Sequence, residues 1–93
     1  MGAESRIERR LRLRVEAVGG WAMKLPTLYV TGLPDRLCMF PGARMVFAET
    51  KIAGGQPRPI QWLVHDKLRK LGFDVMVIDS DEDIDTLLER YSP

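Results

Sequence analysis

Apolar residues recur along the chain with two different periods, and these periods predict helices and strands. The first group has the helical spacing of three or four residues: Ile7, Leu11, Val15 and Val18. An amphipathic helix is therefore predicted over residues 4–18. Gly19 and Gly20 end this helix, because glycine readily takes the left-handed conformation of a helix C-cap.

Three strand segments are predicted next, over residues 21–25, 33–40 and 44–51. A loop at 26–32 joins the first two, and a turn at 41–43 (Pro-Gly-Ala) makes a hairpin of the second and third. Successive side chains of a strand point to opposite faces of the sheet. In the third strand this alternation separates two sets: Met45, Phe47, Glu49 and Lys51 on one face, and Val46, Ala48 and Thr50 on the other.

A second helix is predicted after a flexible loop at 53–59. It begins at Pro59 or Ile60 and ends at Gly72. Its apolar residues form a stripe that is expected to face the core: Ile60, Leu63, Val64, Leu68 and Leu71.

The last part of the chain is predicted to be a strand at 73–78 and a third helix. Ser80 and Asp83 resemble a capping box at the start of that helix. Its apolar stripe is Ile84, Leu87, Leu88 and Tyr91. The order of elements is thus helix, three strands, helix, strand, helix.

Length and composition limit the classes of protein that this chain can represent. A chain of 93 residues is one domain, and 45% hydrophobic with 29% charged residues is typical of a globular protein. No apolar run approaches the ~18–20 residues of a membrane span. The N-terminus carries acids and arginines where a signal peptide would be apolar, so a cytoplasmic protein is expected.

The few soft metal ligands restrict metal chemistry. Cys38 is the only cysteine and His65 the only histidine, which excludes an internal disulfide, a thiolate zinc site and a histidine-rich centre. A metal would therefore be held by carboxylates, which favour Mg²⁺ or Mn²⁺.

Charge is distributed unevenly along the chain. Residues 1–70 contain 13 Lys/Arg and six Asp/Glu, whereas residues 71–93 contain one Lys/Arg and seven Asp/Glu. A basic body suggests a polyanionic partner such as nucleic acid. The alternative is a solvated surface on which the two parts neutralise each other.

The predicted hairpin brings two acids together. A three-residue turn centred on Gly42 pairs Phe40 with Arg44, and the same register places Asp35 directly opposite Glu49. Cross-strand partners have Cβ atoms ~4.5–5.5 Å apart, so two carboxylates there repel each other. A divalent cation bound between them would remove this repulsion.

A phosphodiester-hydrolysing site is the chemistry that fits these acids. Asp35 and Glu49 are candidate metal ligands, together with the backbone carbonyl of Thr50. Lys51 shares the face of Glu49 and is a candidate to orient the attacking water. Two alternatives remain: a surface hairpin with a Glu49–Lys51 salt bridge, or a bulged turn that separates the acids.

Motifs along nearly the whole chain resemble the VRR-NUC family of the PD-(D/E)XK nuclease superfamily. The most specific are the Gly-Leu-Pro-Asp-Arg step at 32–36, the Glu-Thr-Lys triplet at 49–51 and Gln61 after the Pro-rich loop. Around them lie Glu4 and Ile7, the glycine pair at 19–20, Lys24, Leu68, Gly72 and the strand end at 75–80.

The resemblance implies a restriction-endonuclease-like αβββαβ core with a C-terminal helix, a mixed sheet flanked by helices, and a nuclease that needs Mg²⁺ or Mn²⁺. It assigns Asp35 and Glu49 to the metal, Lys51 to catalysis and Gln61 to the lining of the site. The family also uses a glutamate of the first helix, for which Glu4 and Glu8 are both candidates, since they lie one turn apart on one face.

Other residues have candidate roles in binding DNA. Lys24 is a candidate to contact a phosphate or the scissile region, with a solvated edge lysine as the alternative. Arg58 is a candidate to bind the DNA backbone, with a mobile loop that has no binding role as the alternative. Arg36 points to the face opposite Asp35, which favours a structural role or a remote DNA contact. His65 is expected on the surface, because the superfamily chemistry does not require a histidine.

A structure-selective DNA endonuclease is the leading hypothesis. A homodimer would present two sites related by a two-fold axis, which suits a four-way (Holliday) junction, and stand-alone family members of phages or bacteria resemble this description. A flap or single-strand nuclease is the alternative if the protein is monomeric. A non-catalytic nucleic-acid-binding module and a small interaction domain are the remaining alternatives.

Overall fold

The computed structural model describes residues 4–26 and 30–93, which form seven elements in the predicted order. They are α1 (Arg6–Ala17), β1 (Trp21–Lys24), β2 (Arg36–Phe40), β3 (Arg44–Thr50), α2 (Pro59–Lys70), β4 (Val75–Ile78) and α3 (Asp81–Tyr91). The middle of the predicted loop at 26–32 lies outside the described residues. Within the described ranges, no helix is long and apolar enough to cross a bilayer.

The four strands form one mixed sheet in the order β1-β2-β3-β4. The first three strands are antiparallel to their neighbours, and β4 runs parallel to β3. A parallel pair needs a crossover connection, which α2 supplies. The predicted αβββαβ order with a C-terminal helix and a mixed sheet is therefore confirmed.

The apolar core lies on the face of the sheet that α1 and α3 cover. It consists of Leu11, Val15, Ala22, Cys38, Phe40, Val46, Ala48, Ile78, Ile84 and Leu87. The predicted alternation of β3 is confirmed, since its even-numbered residues from 46 to 50 are buried here. Burial of a Leu or Ile side chain contributes ~1.5–3 kcal/mol, so this face supplies most of the hydrophobic stabilisation.

The two helices on the core face are also joined by ion pairs. Arg10 binds Asp81 at 2.7 Å and Arg14 binds Asp85 at 2.6 Å, each linking α1 to α3. Part of the basic charge of the first 70 residues is thus neutralised by the acidic C-terminal part.

Serine caps fix the starts of the same two helices. The hydroxyl of Ser5 accepts the backbone N–H of Glu8, and that of Ser80 accepts the N–H of Asp83. These bonds satisfy backbone donors that the first turn of a helix leaves unpaired. The predicted cap at Ser80 is confirmed.

Helix α2 is oriented differently from the sequence prediction. Its buried residues are Gln61 and His65, whereas Leu63 and Leu71 of the expected core stripe are each 67% exposed. The prediction that this stripe faces the core is wrong, because α2 turns its polar side chains toward the sheet.

Much of the sheet face on the α2 side remains partly exposed. Two cross-strand rows of apolar side chains run across it: Met23, Leu37 and Phe47 in one, and Trp21, Met39 and Met45 in the other. Trp21 is 60% exposed, and the other five are partly exposed. We refer to these six residues as the open sheet face.

Candidate active site

The hairpin register brings Asp35 and Glu49 to the same end of the sheet. Phe40 pairs with Arg44, and the ladder continues without a bulge to Arg36 and Ala48. The next positions outward are Asp35, one residue before β2, and Glu49 within β3. The predicted register is confirmed, and a slip that would separate the acids does not occur.

Asp35 is held in place by the strand opposite it. Its Oδ2 accepts the backbone N–H of Thr50 at 2.8 Å and the Thr50 hydroxyl at 2.6 Å. Its carbonyl accepts the N–H of Leu25 from the end of β1. The carboxylate therefore has a fixed position although it lies just outside the regular strand.

Gly32 explains how the segment before Asp35 reaches α2. Its φ of 91° is in the left-handed region, and a Cβ there would lie 2.8 Å from the carbonyl oxygen of Ile60 and 3.0 Å from Val64. Glycine is thus required both by the backbone conformation and by the close approach of the helix. This contact places the N-terminal part of α2 beside the acids.

Glu49 is buried but incompletely paired. The side chain is 1% exposed. Its Oε1 lies 3.3 Å from Nε2 of His65, and its Oε2 has no hydrogen-bond partner among the described residues. Burial raises the pKa of Glu49 to about 7; the negative charge of Asp35 adds to this shift, and the positive charge of Lys51 opposes it.

Lys51 links this buried carboxylate to the surface. Its Nζ lies 3.7 Å from Oε2 of Glu49, and its side chain is partly exposed. The backbone N–H of Lys51 donates to the carbonyl of Ile78 in β4, which fixes the position of the lysine after β3. The side chain also borders a cavity of about 370 Å³ between the start of α1 and the β4–α3 junction.

The donor set fits a hard divalent cation. The carboxylate of Asp35 is near enough to that of Glu49 to raise its pKa, and Glu49 has a buried oxygen without a hydrogen-bond partner in the described part of the chain. Such an oxygen is costly unless a ligand binds it. Among the same residues, no three His, Cys, Asp or Glu side chains form a metal-binding group, so backbone carbonyls and waters would complete the coordination.

Of the two acids predicted for the first helix, Glu8 lies in α1 and Glu4 precedes its N-cap Ser5, and both belong to one ion-pair network. Glu8 is 5% exposed and binds Lys24 at 2.5 Å and Arg36 at 3.0 Å. Glu4 binds Arg36 at 2.6 Å and Arg12 at 2.7 Å, and its hydrogen bond with Arg12 lowers the pKa of Glu4. These contacts hold α1 against the sheet, and which glutamate serves the site stays a prediction.

The three predicted DNA-binding side chains lie in different environments. Arg36 is buried, and its guanidinium contacts Glu4, Glu8 and the carbonyl of Ala22. These internal contacts favour the structural alternative for Arg36. Lys24 is about half exposed although paired with Glu8, and Arg58 is exposed at the start of α2.

Gln61 lies on the buried face of α2 and caps that helix. Its Oε1 accepts the backbone N–H of Arg58 at 2.8 Å, which leaves its amide N–H groups for other partners. Gln61 shares this helix face with His65, which lies one turn closer to the C-terminus of α2. The predicted placement of Gln61 beside the site is consistent with this geometry, and its role stays a prediction.

His65 is the residue of this region that the sequence analysis placed wrongly. The structure shows it fully buried, with 0% exposure and its ring against Glu49 and Trp62. A signal existed in the sequence: His65 follows Gln61 by four residues, so the two share one helix face. The prediction for α2 instead followed its apolar residues, and so missed this polar face.

Comparisons with known proteins agree with the fold. No family model matches the chain. A protein of Acyrthosiphon pisum secondary endosymbiont phage 1, described as "Putative nuclease p44", is 38% identical over 85 residues, which cover 91% of this chain and 90% of that protein. A solved structure described as a VRR_NUC domain superposes with a TM-score of 0.86 at 35% identity, covering 95% of this chain and 96% of the other. The chain therefore belongs to the VRR-NUC family of nuclease domains, with the restriction-endonuclease-like fold of that family.

Proposed function

We propose that this protein is a divalent-metal-dependent DNA endonuclease whose active site is formed by Asp35, Glu49 and Lys51. The observation that supports this most strongly is the Glu49 carboxylate. It is buried beside a second acid, and its Oε2 has no hydrogen-bond partner within residues 4–26 and 30–93. A buried carboxylate oxygen without a partner does not stabilise a sheet, whereas a cation-binding site needs such an oxygen as a ligand.

Asp35 and Glu49 would hold the cation, with the backbone carbonyl of Thr50 as a further ligand. Mg²⁺ or Mn²⁺ bound there would supply Lewis-acid chemistry at neutral pH and offset charge on the phosphate. The hydrogen bonds from Thr50 to Asp35 keep that carboxylate in place before a ligand arrives. Preorganisation of this kind lowers the cost of binding.

Lys51 would act on the nucleophile and the substrate. Its Nζ is near Oε2 of Glu49, and its partly exposed side chain gives it access to a phosphate from solvent. An ammonium in that position orients an attacking water and stabilises negative charge that develops on the phosphate oxygens. Gln61, together with Glu4 or Glu8, is assigned to the margin of the site, and Lys24 and Arg58 to contacts with the DNA backbone.

Branched DNA is the proposed substrate, cut by a homodimer. The open sheet face supports the dimer, since six neighbouring apolar side chains are partly exposed on it. Contiguous apolar patches of this kind are typical of interaction surfaces. A second copy packed there would give two active sites related by a two-fold axis, the symmetry of a four-way junction.

Cleavage assays test the nuclease. Labelled four-way junction, flap and linear duplex DNA are incubated with Mg²⁺, Mn²⁺ or chelator, using the wild type, Glu49→Ala and the exposed control Glu89→Gln. We expect metal-dependent cutting by the wild type and the control, and none by Glu49→Ala. DNA binding without cutting would favour the non-catalytic binding module, and neither binding nor cutting would favour the interaction domain.

Sedimentation tests the dimer. We expect the wild type to be dimeric, Trp21→Glu to be monomeric and still folded, and Leu13→Glu on α1 to remain dimeric. Leu13 is a matched control because it is an exposed apolar residue outside the open sheet face. A monomeric wild type would contradict the dimer and favour the flap nuclease.

A further inference from the structure

His65 is a buried polar residue with one contact to the proposed site. Its side chain is 0% exposed, and Nε2 lies 3.3 Å from Oε1 of Glu49. Its ring packs edge-on against Trp62, with the ring centroids 5.7 Å apart. The ring therefore has a fixed orientation toward a single carboxylate oxygen.

The contacts of the ring indicate which nitrogen carries the proton. Nε2 lies within hydrogen-bond distance of Oε1 of Glu49. A neutral imidazole has one N–H donor. Nε2 faces an acceptor, whereas Nδ1 has no hydrogen-bond partner among the described residues. The tautomer with the proton on Nε2 is the one that satisfies the carboxylate.

The two oxygens of Glu49 have different surroundings. Oε1 lies 3.3 Å from Nε2 of His65, while Oε2 faces Lys51 at 3.7 Å without a hydrogen bond from the described part of the protein. A carboxylate held at one oxygen keeps its orientation and presents the other oxygen in a defined direction. Groups that hold metal ligands in this manner typically change metal affinity ~10–100-fold when removed.

We propose that His65 is a positioning residue: its Nε2–H holds Oε1 of Glu49 and thereby leaves Oε2 free to bind the divalent cation. This inference rests on the proposed metal-dependent function. It adds a residue from α2 to a site otherwise formed by the hairpin, and it explains why α2 turns a polar face toward the sheet.

Direct measurement of Mn²⁺ binding by calorimetry, without DNA, tests this role. His65 is replaced by residues that differ in where they place a hydrogen-bond donor. Gln places an amide N–H near the position of Nε2, Asn places one near Nδ1, and Leu provides none. The exposed Asp66→Asn on the same helix is the matched control. Melting temperatures in chelator show which variants are folded.

We expect Mn²⁺ affinity to fall about 10- to 100-fold in His65→Leu and His65→Asn, and to be largely restored in His65→Gln. Asp66→Asn should bind like the wild type. A residue that only fills space would give no such difference between Gln and Asn. Equal Mn²⁺ affinities of the wild type and folded His65→Leu would overturn the inference, as would equal losses in Gln and Asn.

A second readout needs neither metal nor substitution. Long-range ¹H–¹⁵N NMR of the metal-free protein at pH 8 reports the tautomer of His65, and we expect the proton on Nε2. A proton on Nδ1 would overturn the inference even if the protein binds metal and cuts DNA. A wild type that binds no Mn²⁺ would overturn the proposed metal-dependent function as well. Failure of the His65 inference alone is thus distinguishable from failure of the proposed function.

Discussion

Two buried glutamates, one on each side of the sheet, are treated by this fold in opposite ways. Glu8 on the core side receives Lys24 and Arg36 within 3.0 Å. Glu49 on the α2 side faces a histidine whose pKa is lowered by burial, a lysine at 3.7 Å and the like charge of Asp35. The first carboxylate is compensated within the protein and the second is not.

This difference indicates that Glu8 serves the fold, whereas Glu49 serves the proposed active site. Removing a carboxylate from water costs several kcal/mol. Nearby Lys and Arg side chains offset this cost, whereas a neutral imidazole ring offsets only part of it. The Glu8 network therefore joins α1 to the sheet. Glu49 destabilises the ligand-free fold, as its raised pKa shows, and a bound cation would reverse this.

The largest expected effect is on catalysis in Glu49→Gln. The amide keeps the shape of the side chain but loses the charged ligand, so cleavage of DNA should fall roughly 10³-fold, equivalent to ~4 kcal/mol. The melting temperature in chelator at pH 8 should be equal to or above that of the wild type. A marked loss of stability would show that Glu49 is structural and contradict the comparison.

The next effect is on stability in Glu8→Gln. This change leaves the buried Arg36 short of a partner, so the free energy of unfolding should fall by about 3 kcal/mol. Urea denaturation measures this loss, with the exposed Glu16→Gln as a control that should change little. Full stability combined with lost cleavage would instead identify Glu8 as the first-helix acid of the active site.

A pH dependence follows from the raised pKa of Glu49. The folded protein holds this proton up to about pH 7, whereas the unfolded chain releases it near its ordinary pKa of 4.5. In metal-free protein, the free energy of unfolding should therefore fall between about pH 4.5 and 7, by up to ~3 kcal/mol from this group. Denaturation of the wild type and Glu49→Gln over this range isolates the effect, and parallel curves would contradict it.

The smallest effect is expected for an ion pair without burial. Lys70 binds Asp66 at 2.9 Å on the surface of α2, with both side chains mostly exposed. Lys70→Gln should change the free energy of unfolding by less than about 0.5 kcal/mol, because solvent screens such pairs. A larger loss of stability would show that an ion pair stabilises this protein even without burial. Burial would then not be needed to explain the difference between Glu8 and Glu49.

The sequence was sufficient to predict the hairpin and the acids at its end. Turn length and strand alternation are local properties, and together they fix which residues face each other. Phe40 with Arg44 at the turn thus determined the position of Asp35 relative to Glu49, as the register confirms.

The orientation of α2 was not predicted correctly, for a physical reason. An apolar stripe indicates the core when a helix covers an apolar surface. Here His65 of α2 contacts Glu49, and a buried carboxylate requires a polar partner, so the face of α2 that carries His65 and Gln61 is buried while Leu63 and Leu71 are exposed. Periodicity within one helix contains no information about the charge on the strand opposite it.

The sequence by itself determined the element order, the register of the hairpin and the identity of the paired acids, because these depend on spacing within short segments. Only the tertiary structure decided which groups meet across long separations. The ion pairs of Arg36 with Glu4 and Glu8, and the contact of His65 with Glu49, depend on how the helices pack on the sheet. That packing decides which buried charges meet a partner, and no single segment of the sequence reveals it.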